Sequence, residues 1–220
     1  MANNFPKVGS RKIDDFKSKL VGGGARANLF EVEVAFPTAT GITPDDDFRF
    51  MIKAAQLPAS NVGVIDIPFR GRNLKVAGDR TFDPWTITVI NDTNFKIRNA
   101  FEVWMNKLNK LDDNSGIITP ASYMADMKVY QLGRGVVSGV NDASGGILAE
   151  GSDMPVLKSY QFKGCFPTAV GAIDLSYDSS DTIEEFTVDL QVQWYDSLVY
   201  NSVTEEGGAT SISQTSIMDS

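Results

Sequence analysis

A chain of 220 residues with 42% hydrophobic content has enough apolar material for one sizeable domain with a real core, which excludes a globally disordered polymer. Its 20 lysines and arginines against 28 aspartates and glutamates leave a formal charge of −8, the wrong sign for gripping phosphates, although such a chain can surround nucleic acid without holding it. It has no histidine, so it lacks the usual general base and the commonest metal ligand, and its one cysteine, Cys165, permits no intrachain disulfide and fits a protein made in a reducing cytoplasm.

Residues 1–27 read as an N-terminal arm. The opening MANNFPKVGSRK has no apolar signal-peptide core, and no apolar run approaches the ~20 residues of a membrane span, so no membrane insertion is expected. Ile13, Phe16 and Leu20 share one face of a short helix over Ile13–Val21, which Gly22-Gly23-Gly24 ends. The arm cannot bury these residues by itself and should pack on the body or on a neighbouring subunit. Strands follow over Phe30–Phe36, where Phe30, Val32, Val34 and Phe36 alternate with Glu31, Glu33 and Ala35, and over Phe48–Lys53, where Phe48, Phe50 and Ile52 oppose Arg49, Met51 and Lys53. Val62–Ile67 and Leu74–Val76 flank a Gly71-centred turn and suit a hairpin. Gly78-Asp79-Arg80 reads as a polar turn before the strand Pro84–Asn91, in which Trp85, Ile87 and Val89 face one way and Thr86, Thr88 and Ile90 the other.

The spacing of Ile97, Phe101, Trp104, Leu108 and Leu111 predicts one amphipathic helix over Asn94–Leu111, capped by Asp92 or Thr93 and ended by Asp112–Gly116. A strand at Asp126–Leu132 precedes the Gly/Ser/Asp-rich insertion of residues 133–155. Strands resume at Leu157–Phe166, Ile173–Tyr177 and Ile183–Tyr195. In the last, Phe186, Val188, Leu190, Val192 and Trp194 form the apolar phase. Residues 197–220, rich in Ser and Thr from Asn201, read as a flexible C-terminal tail. The pattern predicts a mainly β domain over 28–196: a two-sheet sandwich or small barrel with one flanking α-helix.

Candidate chemistry is sparse. Cys165 lacks a histidine to activate it and reads as a packed small residue rather than a nucleophile. Asp45-Asp46-Asp47 lacks the glycine and terminal glutamate spacing of a calcium loop and reads as a solvated turn, and Asp112–Gly116 looks like a calcium-loop start but has no acidic residue at the twelfth position from Asp112 or Asp113 and reads as a helix-ending turn. Gly133–Gly139 and Gly22-Gly23-Gly24 lack the GK[ST] ending of a phosphate cradle. Glu184 and Glu185 are adjacent on a strand, point to opposite faces and cannot flank one bond. The tryptophans and phenylalanines fall on the apolar phase and suit the core rather than a base-stacking platform. No catalytic residue, metal ligand or cofactor site is assigned.

Leu74–Asp92 (LKVAGDRTFDPWTITVIND), Asn28–Phe36 (NLFEVEVAF), Lys53–Ala59 (KAAQLPA), Lys163–Gly171 (KGCFPTAVG) and Ile183–Tyr195 (IEEFTVDLQVQWY) together resemble, in order and over most of residues 28–196, the tail tube proteins of contractile-tailed, T4-like myovirus bacteriophages. The 133–155 insertion is not a feature that the family core needs. The resemblance implies a structural virion protein. Its copies form hexameric rings whose inner wall is a continuous β-barrel, and the rings stack into the tail's inner tube. The implied partners are a contractile sheath, baseplate and tail-terminator proteins, and genome DNA passing through the lumen without specific binding.

A bore suits an acidic or neutral-polar wall, because duplex DNA carries a charge every ~1.7 Å of axis and is felt within a Debye length of ~8 Å. Glu31, Glu33, Thr187, Asp189, Gln191 and Gln193, on the polar phases of two strands, are therefore candidate lumen-facing residues; the competing expectation is that they face solvent or pair with Arg49 and Lys53. Asp79, Arg80 and Phe82 are candidate inter-subunit contacts on the resemblance, against a local Asp–Arg pair that only shapes a loop. Alternatives are the tube of a related injection machine (type VI secretion or tailocin-like), a tube-initiator or completion protein, and, from another class, a soluble β-barrel that binds a small ligand.

Overall fold

The computed structural model describes residues 12–19, 25–43, 46–133, 156–206 and 209–216. The calls on Gly22-Gly23-Gly24, Leu20, Asp45 and the insertion beyond Gly133 lie outside the described residues. In the arm, helix α1 (Ile13–Lys19) forms as its spacing predicts, with Ile13 and Phe16 exposed.

Two sheets share one long strand. The first has the order β1 (Phe30–Glu33), β6 (Ala125–Leu132), β7 (Val156–Val170), β9 (Trp194–Glu206), β10 (Ala209–Ser216), all antiparallel. The second runs β7, β8 (Glu185–Gln191), β5 (Trp85–Ile90), β2 (Ile52–Ala55), also antiparallel. Strand β7 pairs with β6 and β9 through its first part and with β8 from Phe166 onward. It changes sheets at Gly164, whose φ of 63° belongs to the left-handed region where glycine is favoured. The run β8–β9 makes the matching change at Val192-Gln193. The sheets fold onto each other around one core.

That core is the sum of the alternating phases. Val32, Met127, Val129 and Phe162 from the first sheet meet Trp85, Ile87, Val89, Phe186, Val188 and Leu190 from the second. Trp85 stacks on Phe162 across the gap, with ring centroids 4.4 Å apart, and donates its indole N–H to the Gln56 carbonyl at 2.7 Å. Helix α3 (Lys96–Leu108) closes the core with Ile97, Ala100, Phe101 and Trp104. Phe36 touches Phe48, Phe101 and Trp104, and the Trp104 N–H reaches the Tyr123 carbonyl in α4 (Pro120–Tyr123) at 2.8 Å. Helix α3 begins at Lys96 rather than Asn94, with Phe95 in the left-handed region at its N-cap and no side-chain cap there; the Asp92 carboxylate, one turn earlier, accepts the Lys96 backbone N–H at 2.9 Å.

Several local expectations are corrected. Phe48–Lys53 is not one strand: a helical turn, α2 (Asp46–Phe50), precedes β2, so Phe48 is buried against Phe36 while Phe50 is exposed. Helix α3 stops at Leu108, and Leu111 lies in solvent just before the turn in which Ser115 N–H binds Asp113 Oδ1 at 2.8 Å. Gly78-Asp79-Arg80 is not a turn. It lies inside β4 (Arg72–Phe82) at a bulge in its pairing with β3 (Ser60–Phe69), where a Cβ on Gly78 would sit 3.2 Å from the Gly63 carbonyl oxygen.

Ile173–Tyr177 is irregular: pairing of β7 with β8 ends near the Gly171 N–H to Thr187 carbonyl bond, and the chain beyond it joins no strand. The run Ile183–Tyr195 breaks after Gln191, which turns Trp194 outward at 39% exposure. The 197–220 segment, expected to be a flexible tail, instead carries the rest of β9 and strand β10, paired as a hairpin.

Replacing Gly164 with alanine forces a side chain into the left-handed region and places its Cβ 2.8 Å from Gln193 Cγ. Gly164→Ala should lower the unfolding free energy by about 1–2 kcal/mol in urea titration. Trp104→Ala should cost about 3–5 kcal/mol, because it opens the aromatic cluster and strips the Tyr123 carbonyl of its donor.

Candidate functional site

Because the two sheets pack face to face, their outer faces point in opposite directions. The candidate lumen residues therefore do not form one surface. Glu31 and Glu33 project from β1 on the outer face of the first sheet, beside Lys128 and Tyr130 of β6. Thr187, Asp189 and Gln191 project from β8 on the outer face of the second, beside Thr86 and Thr88 of β5. Gln193 lies at the break between β8 and β9 and belongs to neither strand.

The first outer face is a network of charges. Arg49, carried by α2, stands 3.4 Å from Glu31 and 3.9 Å from Glu33. Glu33 also accepts from the Tyr130 hydroxyl at 2.9 Å and pairs with Lys128 at 3.3 Å. Partial burial pushes the Glu33 carboxyl up, but the Tyr130 hydrogen bond, Lys128 and Arg49 together outweigh it and hold the group below its ordinary value. Lys163 pairs with Asp126 at 2.6 Å on the same face.

The second outer face is mostly threonine and glutamine. Asp189 accepts from the Thr86 hydroxyl at 2.6 Å, and Lys53 is paired with Glu185 at 2.5 Å. The expected Arg49 partnership of Glu31 and Glu33 is present, whereas Lys53 serves the other sheet. Glu184 turns away from Glu185 to take the Asn91 amide at 2.8 Å.

The β3–β4 hairpin stands apart from both sheets, and its register sorts its side chains. The directly opposed pairs Ile65–Val76, Ile67–Leu74 and Phe69–Arg72 put an apolar stripe on one face, and Val64–Ala77, Asp66–Lys75 and Pro68–Asn73 occupy the other. The stripe is in solvent, with Phe69 67% and Leu74 61% exposed. Asp79 and Arg80 are exposed on β4. Phe82 is half-buried, edge-on to Tyr195 at 5.5 Å, and anchors the hairpin root to its own body. The stripe was the feature that sequence reading missed; the signal was available, since alternation without any other sheet to bury it marks a surface that awaits a partner.

No convergent chemistry accompanies these surfaces. A cavity of about 100 Å³ at the hairpin root is lined by Leu57, Pro58, Phe82, Trp85, Phe162 and Tyr195 among others, and the nearby Asp83 carboxylate is engaged by the Asn61 amide at 3.0 Å. Cys165 is fully buried, and that burial, with Asp126 nearby, pushes its thiol up to about 12. Among the described residues no group of three or more potential metal ligands converges, and no helix is long and apolar enough to cross a membrane.

Known proteins supply the context for this architecture. Residues 25–198 match the family described as phage tail tube protein. The chain is 33% identical over 185 residues to the tail tube protein gp19 of Enterobacteria phage T4, covering 84% of this chain and 99% of that one. It is 27% identical over 182 residues to the tail tube protein of Serratia phage KSP90, covering 81% and 93%. Its fold is similar to that of a chain in the cryo-EM structure of the anti-feeding prophage baseplate, with a TM-score of 0.53 and 13% identity over 80% of this chain and 96% of that one. The chain belongs to the phage tail tube protein family and is a structural protein of a contractile bacteriophage's virion tail.

Proposed function

We propose that copies of this chain close into hexameric rings, that the rings stack into the inner tube beneath a contractile sheath between baseplate and terminator proteins, and that the outer face of the second sheet walls the bore. The contrast between the two outer faces carries the assignment of the wall. The first face carries three cations, Arg49, Lys128 and Lys163, each paired with Glu31, Glu33 or Asp126, so it has the higher density of fixed positive charge within reach of a phosphate. The second presents Thr86, Thr88, Thr187, Asp189 and Gln191, with Lys53 neutralised by Glu185. A duplex sliding past the second face meets short neutral side chains and a slight excess of negative charge. On this reading Thr187, Asp189 and Gln191 line the lumen, whereas Glu31 and Glu33 face away from it, tied to Arg49 and Lys128.

Maleimide labelling of assembled tubes tests the assignment, since the buried Cys165 thiol stays unreactive. A bulky polymer-linked maleimide too wide for the bore should modify Glu31→Cys in tubes and free subunits alike. It should modify Thr187→Cys only in free subunits. Equal labelling of Thr187→Cys in both states, with Glu31→Cys protected on assembly, would place the bore on the first sheet. Subunits that never form rings or tubes under any condition would end the assembly reading itself.

A further inference from the structure

Strand β2 is the outermost strand of the second sheet. It pairs with β5, and its other side joins no strand among the described residues. It is four residues long, and the helical turn that leads into it, α2, has five. Neither element holds itself. A helix this short lies below the length at which helices persist in water, and a short edge strand with one neighbour is the part of a sheet that opens most readily. Side chains must fix where both of them lie.

The run Phe48–Lys53 does this by sending its side chains to three different places. Phe48 and Ile52 are buried in the core, Phe48 against Phe36. Arg49 reaches the outer face of the first sheet, where Glu31 and Glu33 of β1 lie 3.4 Å and 3.9 Å away. Lys53 reaches the outer face of the second, where it pairs with Glu185 of β8. The pairing of β2 with β5 shifts register between Ile52 and Ala54, so Lys53 is the extra residue of a bulge. A bulge re-aims a side chain, and this one lets Lys53 pass over β5 to β8. Tyr130 and Lys128 of β6 hold Glu33 from its other side and so fix the acceptor that Arg49 meets. A single exposed ion pair contributes little. Two of them, anchored on different sheets and flanking the buried Ile52, restrain the segment from both directions.

We infer that Arg49 and Lys53 are positioning residues for ring closure: tied to Glu31, Glu33 and Glu185, they hold β2 with its unpaired side ready for the neighbouring copy in the ring. This rests on the reading that the second sheets of successive copies join around the bore, and it adds which side chains prepare the joint. Strand directions permit that joint. The order β2, β5, β8, β7 is antiparallel throughout, so β2 and β7 run in opposite directions. From Phe166 onward β7 pairs with β8 on one side and joins no strand on the other among the described residues. The β2 strand of one copy therefore meets the β7 strand of the next antiparallel. A strand already held in place loses little freedom when the neighbour arrives, whereas a fraying strand must first be ordered, which weakens the association.

Hydrogen exchange on the full-length chain, free and assembled, together with sedimentation velocity, tests the assignment. In wild-type rings the amides of Ile52–Ala55 should exchange more slowly than in free subunits. Arg49→Ala should speed these amides about two- to fivefold in free subunits, while the amides of Phe186–Leu190 in β8 keep their wild-type rates. It should also raise the subunit concentration at half-assembly by a similar factor, and Lys53→Ala should act in the same direction. Arg49→Lys, which keeps a cation beside the two glutamates, should restore most of both properties, and Glu31→Gln with Glu33→Gln should reproduce the loss. Equal acceleration in β8 would mark general destabilisation and overturn the positioning role. Unchanged β2 exchange in Arg49→Ala, or faster β2 exchange with unchanged assembly, would overturn it as well. Rings that form without slowing β2 place the joint elsewhere and overturn this inference alone. A wild-type chain that never forms rings overturns the bore-wall reading along with it.

Discussion

Everything in this molecule depends on one strand serving two sheets. Strand β7 can pair with β6 and β9 and then with β8 only by turning sharply, and Gly164 supplies the left-handed backbone at the turn. The turn brings two apolar faces into register, and the stacking of Trp85 on Phe162 fastens them. Without the turn the sheets would be one extended ribbon with an unburied side, and α3 would have no cleft to close. The core thus follows from the turn at Gly164 and the matching change of sheet at Val192-Gln193, filled by side chains that alternation had already selected.

Once the sheets are folded together, their outward faces are forced apart in function as well as in space. The first collects ion pairs: Arg49, Lys128 and Lys163 with Glu31, Glu33 and Asp126. The second collects threonines, and its charges are held by one another or by a hydroxyl. A wall for a sliding polyanion needs low cation density more than it needs net negative charge, because each mobile phosphate responds to the nearest fixed cation within a Debye length. Two faces of one protomer, made from equally well-alternating strands, differ in that respect.

The thiol and the carboxylates of the described residues are held by the same two-sheet framework. Cys165 is pinned between the sheets with its thiol far from ionising, and the carboxylates are spread over separate faces or tied to lysine, arginine and hydroxyl partners. The cavity at the hairpin root is lined chiefly by apolar side chains that seat the ribbon on the body. Its walls are those of a joint, where Phe82 meets Tyr195 and Asn61 holds Asp83.

Local pattern alone was enough for the strands at Phe30, Trp85, Met127 and Phe186, for the amphipathic helix at Ile97–Trp104, and for the hairpin about Gly71, because each is decided by side-chain period and by residues whose backbone preferences are strong. The family blocks were likewise readable, since they are strings of residues. Pattern failed where an alternating stretch joined no strand, as at Ile173–Tyr177, and where a strand-like run was better buried by one helical turn, as at Phe48. It failed again at Gly78, where a glycine suited to a turn instead relieves a close approach between strands. Above all, alternation states that Glu31 and Thr187 lie on polar phases, but not that those phases point in opposite directions. Period two distinguishes the sides of a strand, and only the folding of one sheet upon another decides what each side confronts.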